Sequence, residues 1–462
     1  MNAIVVFDIG KTNIKLSATT PDGAVLETLS TPNVVLDGPP YSHHDIVGLE
    51  AWLLDRLRDF GARHAVSAIV TTAHGGAGVL VDAYGAVLPM IDYEQPIPED
   101  VASAYAAIAG SYRERGSPVM LGASHVARQM LWQETRWPRD FARATAILPT
   151  PQYWAWRLSG ILASEVTSLS AQSHLWSPAD QRPTAMARDR GWLHLIPPVR
   201  SAWEVLGPLR PEIVARTGLA ADTAVLCGIH DSSANFYRYQ AAGVSDFVVV
   251  STGTWIVMLT DRTETDFDHE RPGHTVNADV FGRPMPGMLT MGGREFRFVA
   301  GDTPGPGSHE ALVRIVETRT MALPSFGSDD CLFPGTAHRG RIEGPLAEDR
   351  GSRFALAALY GALLTAKCIE DMPRASTILV DGGFVRDALY GEILAALFPD
   401  RRVLVNRDTA GTTTGAALLA SHETMKRPAP LSVEAPNATG IPPLSEYRAD
   451  WCARSQMMEH IP

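Results

Sequence analysis

Near the start of the chain, an apolar run ends in Asp8 and is followed by Gly10, Thr12 and Asn13. A glycine lets the backbone approach a phosphate closely, and exposed N–H groups and hydroxyls can donate hydrogen bonds to it. A carboxylate at this point can hold Mg²⁺, mostly through water, because the ion gives up its hydration shell reluctantly. The pattern suits a magnesium–phosphate site, but for this segment in isolation an ordinary turn after a strand is the more common explanation.

A second polar turn with a glycine, Ser251-Thr252-Gly253-Thr254, lies about half the chain away. Two such turns facing each other would grip one polyphosphate from both sides, which explains why the unit recurs. The sequence contains no GxxxxGK[ST], no GxGxxG after a strand and no GxSxG. A P-loop enzyme, a dinucleotide-binding Rossmann domain and an α/β-hydrolase are therefore not indicated.

Asp231 follows an apolar run and the residues Gly228-Ile229-His230. A carboxylate at a strand end can act as a general base for a hydroxyl, provided that it lies in a cleft within hydrogen-bond reach of that hydroxyl. Because Ser232 and Ser233 come next, a helix N-cap is an equally good interpretation.

Two further glycine-bearing segments follow near the end of the chain. Asp381-Gly382-Gly383 offers a flat backbone surface to a ligand, or forms an ordinary turn from a strand into a helix. Gly411 and Thr412 begin a helix of small residues, which either accepts a ligand or packs tightly.

The elements that must position these residues alternate between strand and helix. Apolar runs over residues 3–7, 66–71 and 246–250 are typical of buried strands, and the apolar spacing over 45–60 predicts a helix that ends at Gly61. This alternation predicts an α/β fold with mixed sheets. The strand–turn–strand unit occurs twice, which indicates a weak internal repeat with a domain boundary near residues 240–243.

Composition limits the classes of protein that this chain can be. It has 462 residues, of which 45% are hydrophobic and 20% charged, so it can form buried cores and is not mainly disordered. With 40 Lys and Arg against 51 Asp and Glu, the net charge is −11. An acidic chain without a basic cluster is a poor candidate for a nucleic-acid-binding protein.

The four cysteines are widely spread and form no CxxC pair, which favours a reduced, cytosolic protein. The first residues have no basic segment before a short apolar run, and no stretch approaches ~20 apolar residues. We therefore expect a cytoplasmic protein that does not span a membrane.

Taken in order, these segments resemble the motifs of the FGGY family of carbohydrate kinases, in the actin/hexokinase-like ATPase superfamily. The resemblance runs over about residues 4–420, and six short motifs in this order are specific as a set. The matching segments are DIGKTNIK at 8–15, PQYWAWRLSG at 151–160 with Ser164-Glu165 and Thr167-Ser168 after it, GIHDSSA at 228–234, STGTW at 251–255, DGGFVRDALYGEILAALF at 381–398 and GTTTGAALLA at 411–420.

The resemblance implies two actin-like (ribonuclease H-like) domains, with mixed sheets flanked by helices and the active site in the cleft between them. It implies a sugar-binding domain over residues 1–240, a nucleotide-binding domain over 241–425 and a proline-rich tail over 426–462. The implied activity is ATP-dependent phosphorylation of a sugar hydroxyl, with ATP and Mg²⁺ as cofactors.

The resemblance also implies individual roles. Asp231 would be the base that takes the hydroxyl proton, and Asp8 would organise Mg²⁺. Lys11 stands where family members usually have Thr; it reaches the phosphates or points to solvent, and we favour the phosphates. The residues expected at ATP are Gly10, Lys11, Thr12, Asn13, Thr252, Gly253, Thr254, Asp381, Gly382, Gly383, Gly411 and Thr412.

The sugar side of the site is less familiar. His74 stands where many members carry a Gly-Gln or Gly-x-His-Gly motif, so it is a candidate for a sugar hydroxyl, or a histidine in a surface turn. Asp92 and Glu94 are paired acceptors that suit a polyol, or belong to a solvated turn. The residues expected at the sugar are His74, Asp92, Glu94, Gln152, Tyr153, His230 and Asp231, although Tyr153 is also a good core residue.

His230-Asp231-Ser-Ser-Ala and Ser251-Thr-Gly-Thr-Trp look more like the kinases of deoxyketohexoses (L-rhamnulose and L-fuculose) than those of glycerol or xylulose. We therefore expect a ketose, of that type or a ketopentose, phosphorylated at a terminal hydroxyl in carbohydrate catabolism. The expected partners are the sugar and ATP, without nucleic acid or membrane, and a homodimer is left open. The alternatives on the same fold are a non-catalytic sugar sensor and an actin-like ATPase. The sensor is disfavoured because Asp8 and Asp231 are present, and the ATPase because the family-level sugar motifs and the Gly-x-His-Asp segment are retained.

Overall fold

The computed structural model describes residues 2–302, 305–328 and 332–459. In them, two large mixed β-sheets are each covered by helices, which confirms the predicted α/β class. The strands are β1 (Asn2–Ile9), β2 (Asn13–Thr19), β3 (Val25–Pro32), β4 (Val35–Leu36), β5 (His43–His44), β6 (Ala65–Ala73), β7 (Gly78–Val81), β8 (Ala146–Pro149), β9 (Ser164–Glu165), β10 (Trp176–Ser177), β11 (Arg182–Pro183), β12 (Val199–Arg200), β13 (Val205–Pro208), β14 (Ala224–Leu226), β15 (Ile229–His230), β16 (Phe247–Thr252), β17 (Ile256–Thr260), β18 (His274–Ala278), β19 (Pro284–Thr290), β20 (Met321–Leu323), β21 (Arg341–Glu343), β22 (Thr377–Gly382) and β23 (Arg402–Val405).

Sixteen α-helices are described, and they include those that cover the faces of these sheets. The α-helices are α1 (Ile46–Gly61), α2 (Glu99–Ile108), α3 (Tyr112–Arg115), α4 (Val126–Arg136), α5 (Pro138–Phe141), α6 (Thr150–Ser159), α7 (Val166–Ser170), α8 (Ala185–Asp189), α9 (Pro211–Thr217), α10 (Asp231–Ala241), α11 (Gly292–Ala300), α12 (His309–Glu317), α13 (Arg353–Asp371), α14 (Ala388–Leu397), α15 (Gly411–Leu418) and α16 (Ser445–Glu459).

The two large sheets repeat one strand order. The first has the order β13-β14-β6-β1-β2-β3, with β15 also paired to β6, and the second has the order β18-β19-β17-β16-β22-β23. In each, an antiparallel hairpin (β1–β2 or β16–β17) lies beside parallel strands (β6 and β14, or β22 and β23). The internal repeat predicted from the sequence is therefore confirmed.

The predicted helix over 45–60 is α1. The Asp45 side chain accepts a hydrogen bond from the Gly48 N–H at its start, which satisfies one of the free donors of the first turn. Its buried face, Leu49, Leu53, Leu57 and Phe60, has the spacing of one side of a helix and packs on the apolar core under the first sheet.

The core of the second sheet forms around α13. Among the described residues, the segment Arg350–Asp371 passes the length and hydropathy test for a membrane span, but 83% of its apolar window is buried inside the protein, as in a core helix. The predicted tail over 426–462 contains α16, whose Tyr447 and Trp451 are buried in this same core. Trp451 donates its indole N–H to the Ala322 carbonyl over 2.8 Å, so this part of the segment is a packed element rather than surface chain.

Candidate active site

Three parallel strands of the first sheet end at the same edge, and each ends in polar residues. Asp8 of β1 is paired in register with Thr72 of β6, and Ile229 of β15 is paired with Thr72 on the other side. Because the carboxyl ends of parallel strands meet at one edge, the residues that follow β6 and β15, His74 and Asp231, are brought to Asp8. The topology thus assembles three residues that are far apart in the sequence.

The carboxylates of Asp8 and Asp231 lie close enough to act on each other. Burial of Asp8 and then the charge of Asp231 raise the pKa of Asp8 to about 7, against a smaller opposite effect from Lys15. The neighbouring Thr72 hydroxyl is buried and has no hydrogen-bond partner among the described residues. Carboxylate, hydroxyl and water oxygens are the ligands that Mg²⁺ prefers, so this donor set fits the ion.

Asp231 is the first residue of α10 rather than its N-cap, which is His230. Its Oδ1 accepts hydrogen bonds from the Ser232 N–H at 2.5 Å and the Ser232 hydroxyl at 3.2 Å, and lies 3.3 Å from His230 Nε2. Within the described part of the chain, Oδ2 accepts no hydrogen bond. The carboxylate, 27% exposed, is therefore oriented through one oxygen and open to a substrate hydroxyl through the other.

A buried polar chain holds the backbone before Asp231. Glu165 accepts hydrogen bonds from the N–H groups and hydroxyls of Thr167 and Ser168, and burial raises its pKa. The Thr167 hydroxyl in turn accepts a hydrogen bond from the His230 N–H at 3.1 Å. These residues act on the site by positioning His230 and Asp231.

Two histidines with depressed pKa values lie beside the carboxylates. His74 was a predicted sugar residue, whereas His44 of β5 carries no local motif and was missed. Their ring centroids are 5.8 Å apart, and both Nε2 atoms are buried without a partner among the described residues. Burial lowers the pKa of His44 to about 3 and also lowers that of His74. Both rings are therefore neutral, and His74 Nδ1 and His44 Nδ1 contact oxygen acceptors, so each Nε2 is left as an acceptor for a hydroxyl.

The predicted sugar residues Asp92 and Glu94 lie next to these histidines, together with Lys11. The Lys11 ammonium forms an ion pair with Asp92, lies 4.0 Å from Glu94 and sits 5.1 Å from the centroid of the Tyr93 ring. Tyr93 in turn contacts His74 at 5.1 Å between ring centroids. The side chain of Lys11 therefore points to the Asp92–Glu94 segment, and its contact with phosphate stays a prediction.

Gln152 and Tyr153 sit deeper than predicted. The Gln152 amide is fully buried and donates to the carbonyls of Cys227 and Gly228, at 3.2 and 3.4 Å, under the approach to Asp231. Tyr153 is not brought to the site: its ring packs against Trp154 and Trp156 in the apolar core under the first sheet. The helix that carries Tyr153 is buried, so its aromatic ring fills the apolar core instead of facing a ligand.

The first turn keeps its backbone groups exposed. Gly10 N–H donates to the Asn13 carbonyl at 3.1 Å, which closes the turn, and a Cβ at Gly10 would lie 2.8 Å from that oxygen. The Asn33 side chain anchors the turn through the Gly10 carbonyl at 2.9 Å. Thr12 and Asn13 at the tip are exposed and available to a phosphate.

The second turn lies at the corresponding point of the second sheet. Gly253 and Thr254 are exposed, whereas the Thr252 hydroxyl is already engaged: it donates to the Asp381 carbonyl at 2.6 Å and accepts from the Phe384 N–H at 3.0 Å. Helix α11 begins directly behind this turn, where a Cβ at Gly293 would lie 1.8 Å from the Gly253 carbonyl oxygen. Arg294, which belongs to this helix, lies 3.7 Å from Glu94.

The predicted adenosine-side residues divide into an exposed and a buried group. Gly383 is exposed, and Gly382, with φ of +92°, has a backbone conformation that favours glycine. The Asp381 carboxylate is buried and accepts hydrogen bonds from three side chains of α10: Asn235 at 2.9 Å, Arg238 at 3.1 Å and Tyr239 at 2.8 Å. It fastens α10 to the second sheet.

Gly411 and Thr412 begin α15, which packs on α10. A Cβ at Gly411 would lie 2.2 Å from Asn235 Oδ1, and one at Gly415 would lie 1.8 Å from the Ala234 carbonyl oxygen. The segment is thus tightly packed against α10, and the contact of Gly411 and Thr412 with ATP stays a prediction. Thr412 is half-buried at the start of the helix.

Comparison with known proteins agrees with this arrangement. Residues 244–428 match the family described as "Carbohydrate kinase FGGY, C-terminal domain". A solved carbohydrate kinase from Novosphingobium aromaticivorans is 32% identical, superposes with a TM-score of 0.86, and covers 99% of both chains. The chain belongs to the FGGY family of carbohydrate kinases.

As an FGGY kinase, the protein phosphorylates a sugar, with ATP as co-substrate, and its fold is the predicted actin-like one. Two curated relatives come from Escherichia coli K12. An L-fuculokinase is 26% identical over 446 residues, covering 90% of this chain and 91% of its own. An L-xylulose/3-keto-L-gulonate kinase is 27% identical over 202 residues, 39% of each chain. The alternatives of a sugar sensor and an actin-like ATPase are not favoured by these relatives.

Proposed function

We propose that this FGGY kinase transfers the γ-phosphoryl group of ATP to a terminal hydroxyl of a ketose, of the L-fuculose or L-rhamnulose type or a ketopentose, in carbohydrate catabolism. The observation that carries the proposal is the strand edge where Asp8 and Asp231 lie near His74 and, packed on it, His44; the Nε2 atoms of both histidines are buried and have no partner among the residues that the structure describes. Buried polar atoms need partners, and a polyol supplies hydroxyl donors at several positions. The L-fuculokinase and L-xylulose kinase relatives support a ketose.

Asp231 takes the proton of the attacking hydroxyl. Its Oδ1 is held by Ser232 and its Oδ2 is open, so one oxygen fixes the orientation of the carboxylate while the other accepts the proton. His230 lies 3.3 Å from Oδ1 and, because burial lowers its pKa, stays neutral beside the carboxylate. The proton transfer increases the nucleophilicity of the sugar oxygen as the phosphoryl group arrives.

The two exposed turns receive the phosphates. The N–H groups and side chains of Thr12 and Asn13 would contact them from the first domain, and those of Gly253 and Thr254 from the second. Mg²⁺, when bound, neutralises charge on the phosphoryl oxygens, and Asp8 with the Thr72 hydroxyl would hold it. Among the described residues no group of three or more His, Cys, Asp or Glu is arranged to hold a metal, which fits an ion that keeps much of its water. Gly382 and Gly383 would lie near the adenosine.

The test is a screen of sugars with a coupled assay for ADP. L-Fuculose, L-rhamnulose, L-xylulose and D-xylulose are compared with glycerol and with a reaction that lacks sugar, at fixed ATP and Mg²⁺. We expect ADP release to depend on a ketose, and the phosphorylated product to carry phosphate on a terminal carbon, as read by mass spectrometry and ³¹P NMR. ADP release without sugar at the same rate, or preference for glycerol, would contradict the proposal.

A further inference from the structure

Lys11 pairs with a residue on the sugar side of the cleft, although it stands in the first phosphate turn. Its ammonium is ion-paired with Asp92 and 4.0 Å from Glu94 Oε2, and it covers the Tyr93 ring. The side chains of Lys11 and Asp92 are only 20% and 13% exposed, so their interaction is less screened than that of a surface pair. Glu94 has a second cationic neighbour, Arg294, at 3.7 Å.

This pair belongs to the same pocket as the two neutral histidines. Tyr93, under the Lys11 ammonium, contacts the His74 ring, and His74 contacts the His44 ring. The charges of Lys11 and Asp92 act on both histidines, and that of Asp231 acts on His74. By contrast, the charges that act on Asp8 come from Asp231 and Lys15. Lys11 is therefore coupled to the sugar pocket.

A lysine in a sugar pocket can recognise a carboxylate, since charge-assisted hydrogen bonds to an ammonium are strong. Here the carboxylate of the protein already occupies that position. A sugar acid placed beside Lys11 would have to displace Asp92 and would meet the negative charge of Glu94 as well. An uncharged sugar meets no such repulsion, and its hydroxyls can use the remaining donors of Lys11 and the acceptors of Asp92, His44 and His74.

We propose that Asp92 is a specificity-determining residue which, by pairing with Lys11, makes the kinase select an uncharged sugar over a sugar acid. The inference rests on the proposed function, because it assigns the substrate class of that same site. It predicts that neutralising Asp92 frees the lysine for a substrate carboxylate.

The decisive variant is Asp92→Asn. An asparagine oxygen can still accept the hydrogen bond that Asp92 Oδ1 accepts from the Glu94 N–H at 3.1 Å, so the local turn is kept while the charge is removed. We measure kcat/KM for the best neutral ketose of the screen and for two acids, D-gluconate and 3-keto-L-gulonate. The ratio of neutral to acidic kcat/KM is expected to fall about tenfold or more. The reason is that the Lys11 ammonium, no longer paired with a carboxylate of the protein, attracts the carboxylate of the acid. In the double variant K11M/D92N the gain for the acids should disappear, because the cation that would bind them is gone.

Asp82→Asn is the matched control. Asp82 is similarly buried (12% against 13% exposed side chain) and pairs with Arg143 at 2.9 Å, outside the pocket. Its substitution should leave the neutral-to-acidic ratio unchanged. The inference is overturned if D92N changes neutral and acidic substrates by the same factor, if K11M/D92N keeps the gain, or if the unmodified kinase already prefers an acid. If a ketose is still turned over in any of these cases, only the inference fails and the proposed function stands. If no sugar-dependent ADP release is found, the proposed function and this inference are overturned together.

Discussion

Each large sheet pairs one carboxylate residue with one hydroxyl residue on adjacent parallel strands, with the two types exchanged between the strands, and the two carboxylates have opposite surroundings. In the first, Asp8 lies beside Thr72 on adjacent parallel strands; in the second, Ser251 lies beside Asp381. The first carboxylate is buried with a raised pKa, next to a hydroxyl that has no partner among the described residues. The second accepts three hydrogen bonds from α10.

This difference separates a reaction centre from a structural joint. Buried polar groups in proteins are normally satisfied, so an unsatisfied hydroxyl beside a buried carboxylate at a strand edge is a place where a ligand can complete the bonding. Asp381 needs no ligand, since Arg238 supplies the opposite charge. Asp8 has no comparable cation in contact among the described residues, as we expect of a carboxylate proposed to hold Mg²⁺. The second sheet edge thus holds α10, the helix that begins with Asp231, whereas the first is the edge at which we propose the chemistry.

The largest expected effect is the loss of activity when Asp231, the proposed base, is substituted. Asp231→Asn removes the acceptor of the hydroxyl proton, so kcat should fall about 10³-fold, within the usual range for a general base. The measurement is sugar-dependent ADP release, with ATP affinity followed by calorimetry as the control. ATP affinity should stay within about twofold, because the predicted phosphate contacts are elsewhere. Turnover near that of the unmodified kinase would contradict the assignment.

A change at the joint should act on stability. Asp381→Asn leaves the Arg238 guanidinium, whose side chain is 2% exposed, without its buried counter-charge, and should lower the free energy of unfolding by about 3 kcal/mol. Asp408→Asn is the control: it removes the other carboxylate near Arg238, at 3.3 Å but 49% exposed, and should cost less than about 1 kcal/mol. Urea unfolding measures both, and equal losses would show that burial of the pair is unimportant.

Asp8→Asn should raise the free energy of unfolding at neutral and alkaline pH, whereas Asp381→Asn should lower it. The folded protein holds the Asp8 pKa near 7, above its ordinary value of 3.8, so its contribution to stability is full at low pH and is lost as the pH rises between those values. An asparagine carries no such penalty. We expect the ligand-free variant to melt about 5 °C higher than the unmodified kinase at pH 8, with little difference at pH 4, and to lose Mg²⁺-dependent turnover. A Tm difference that does not change with pH would contradict the argument.

The smallest effects compare two neighbouring threonines. The Thr71 hydroxyl donates to the Pro151 carbonyl at 2.9 Å, whereas that of Thr72 has no partner in the described structure. Thr71→Val should lower the free energy of unfolding by about 1 kcal/mol, and Thr72→Val should leave it unchanged or raise it slightly. If Thr72 serves the bound ion, only its substitution raises the Mg²⁺ concentration needed for half-maximal turnover. Equal stability losses would show that Thr72 is satisfied in solution.

Sequence reasoning worked where a function resides in a contiguous segment. The two turns and the alternation of strand and helix are local patterns, so the α/β class and the repeat were predictable. Whether a polar atom has a partner depends on residues far away in the sequence, and that information is tertiary. Asp381 looked like a ligand residue because its three partners lie in α10, some 140 positions earlier.

His44 and Lys11 show the same limit. His44 belongs to a two-residue strand without a motif, and only the packing of its ring near His74 reveals it. The side chain of Lys11 leaves a phosphate turn for a carboxylate 81 residues away. Helix α16 was not predicted, because the prolines before it indicated a tail. No local pattern shows that Trp451 packs into a core formed by residues distant in the sequence.

The contact at Gly415 has a consequence for the packing of α15 on α10. There, the backbone of α15 touches the Ala234 carbonyl without a side chain between them, just after the base at the start of α10. Because no side chain lies between the two backbones, the helices cannot come closer at this point, and any added atom must push them apart. A methyl group at this position has no room, so Gly415→Ala is expected to push α15 away from α10 and from the first sheet, on which both helices pack.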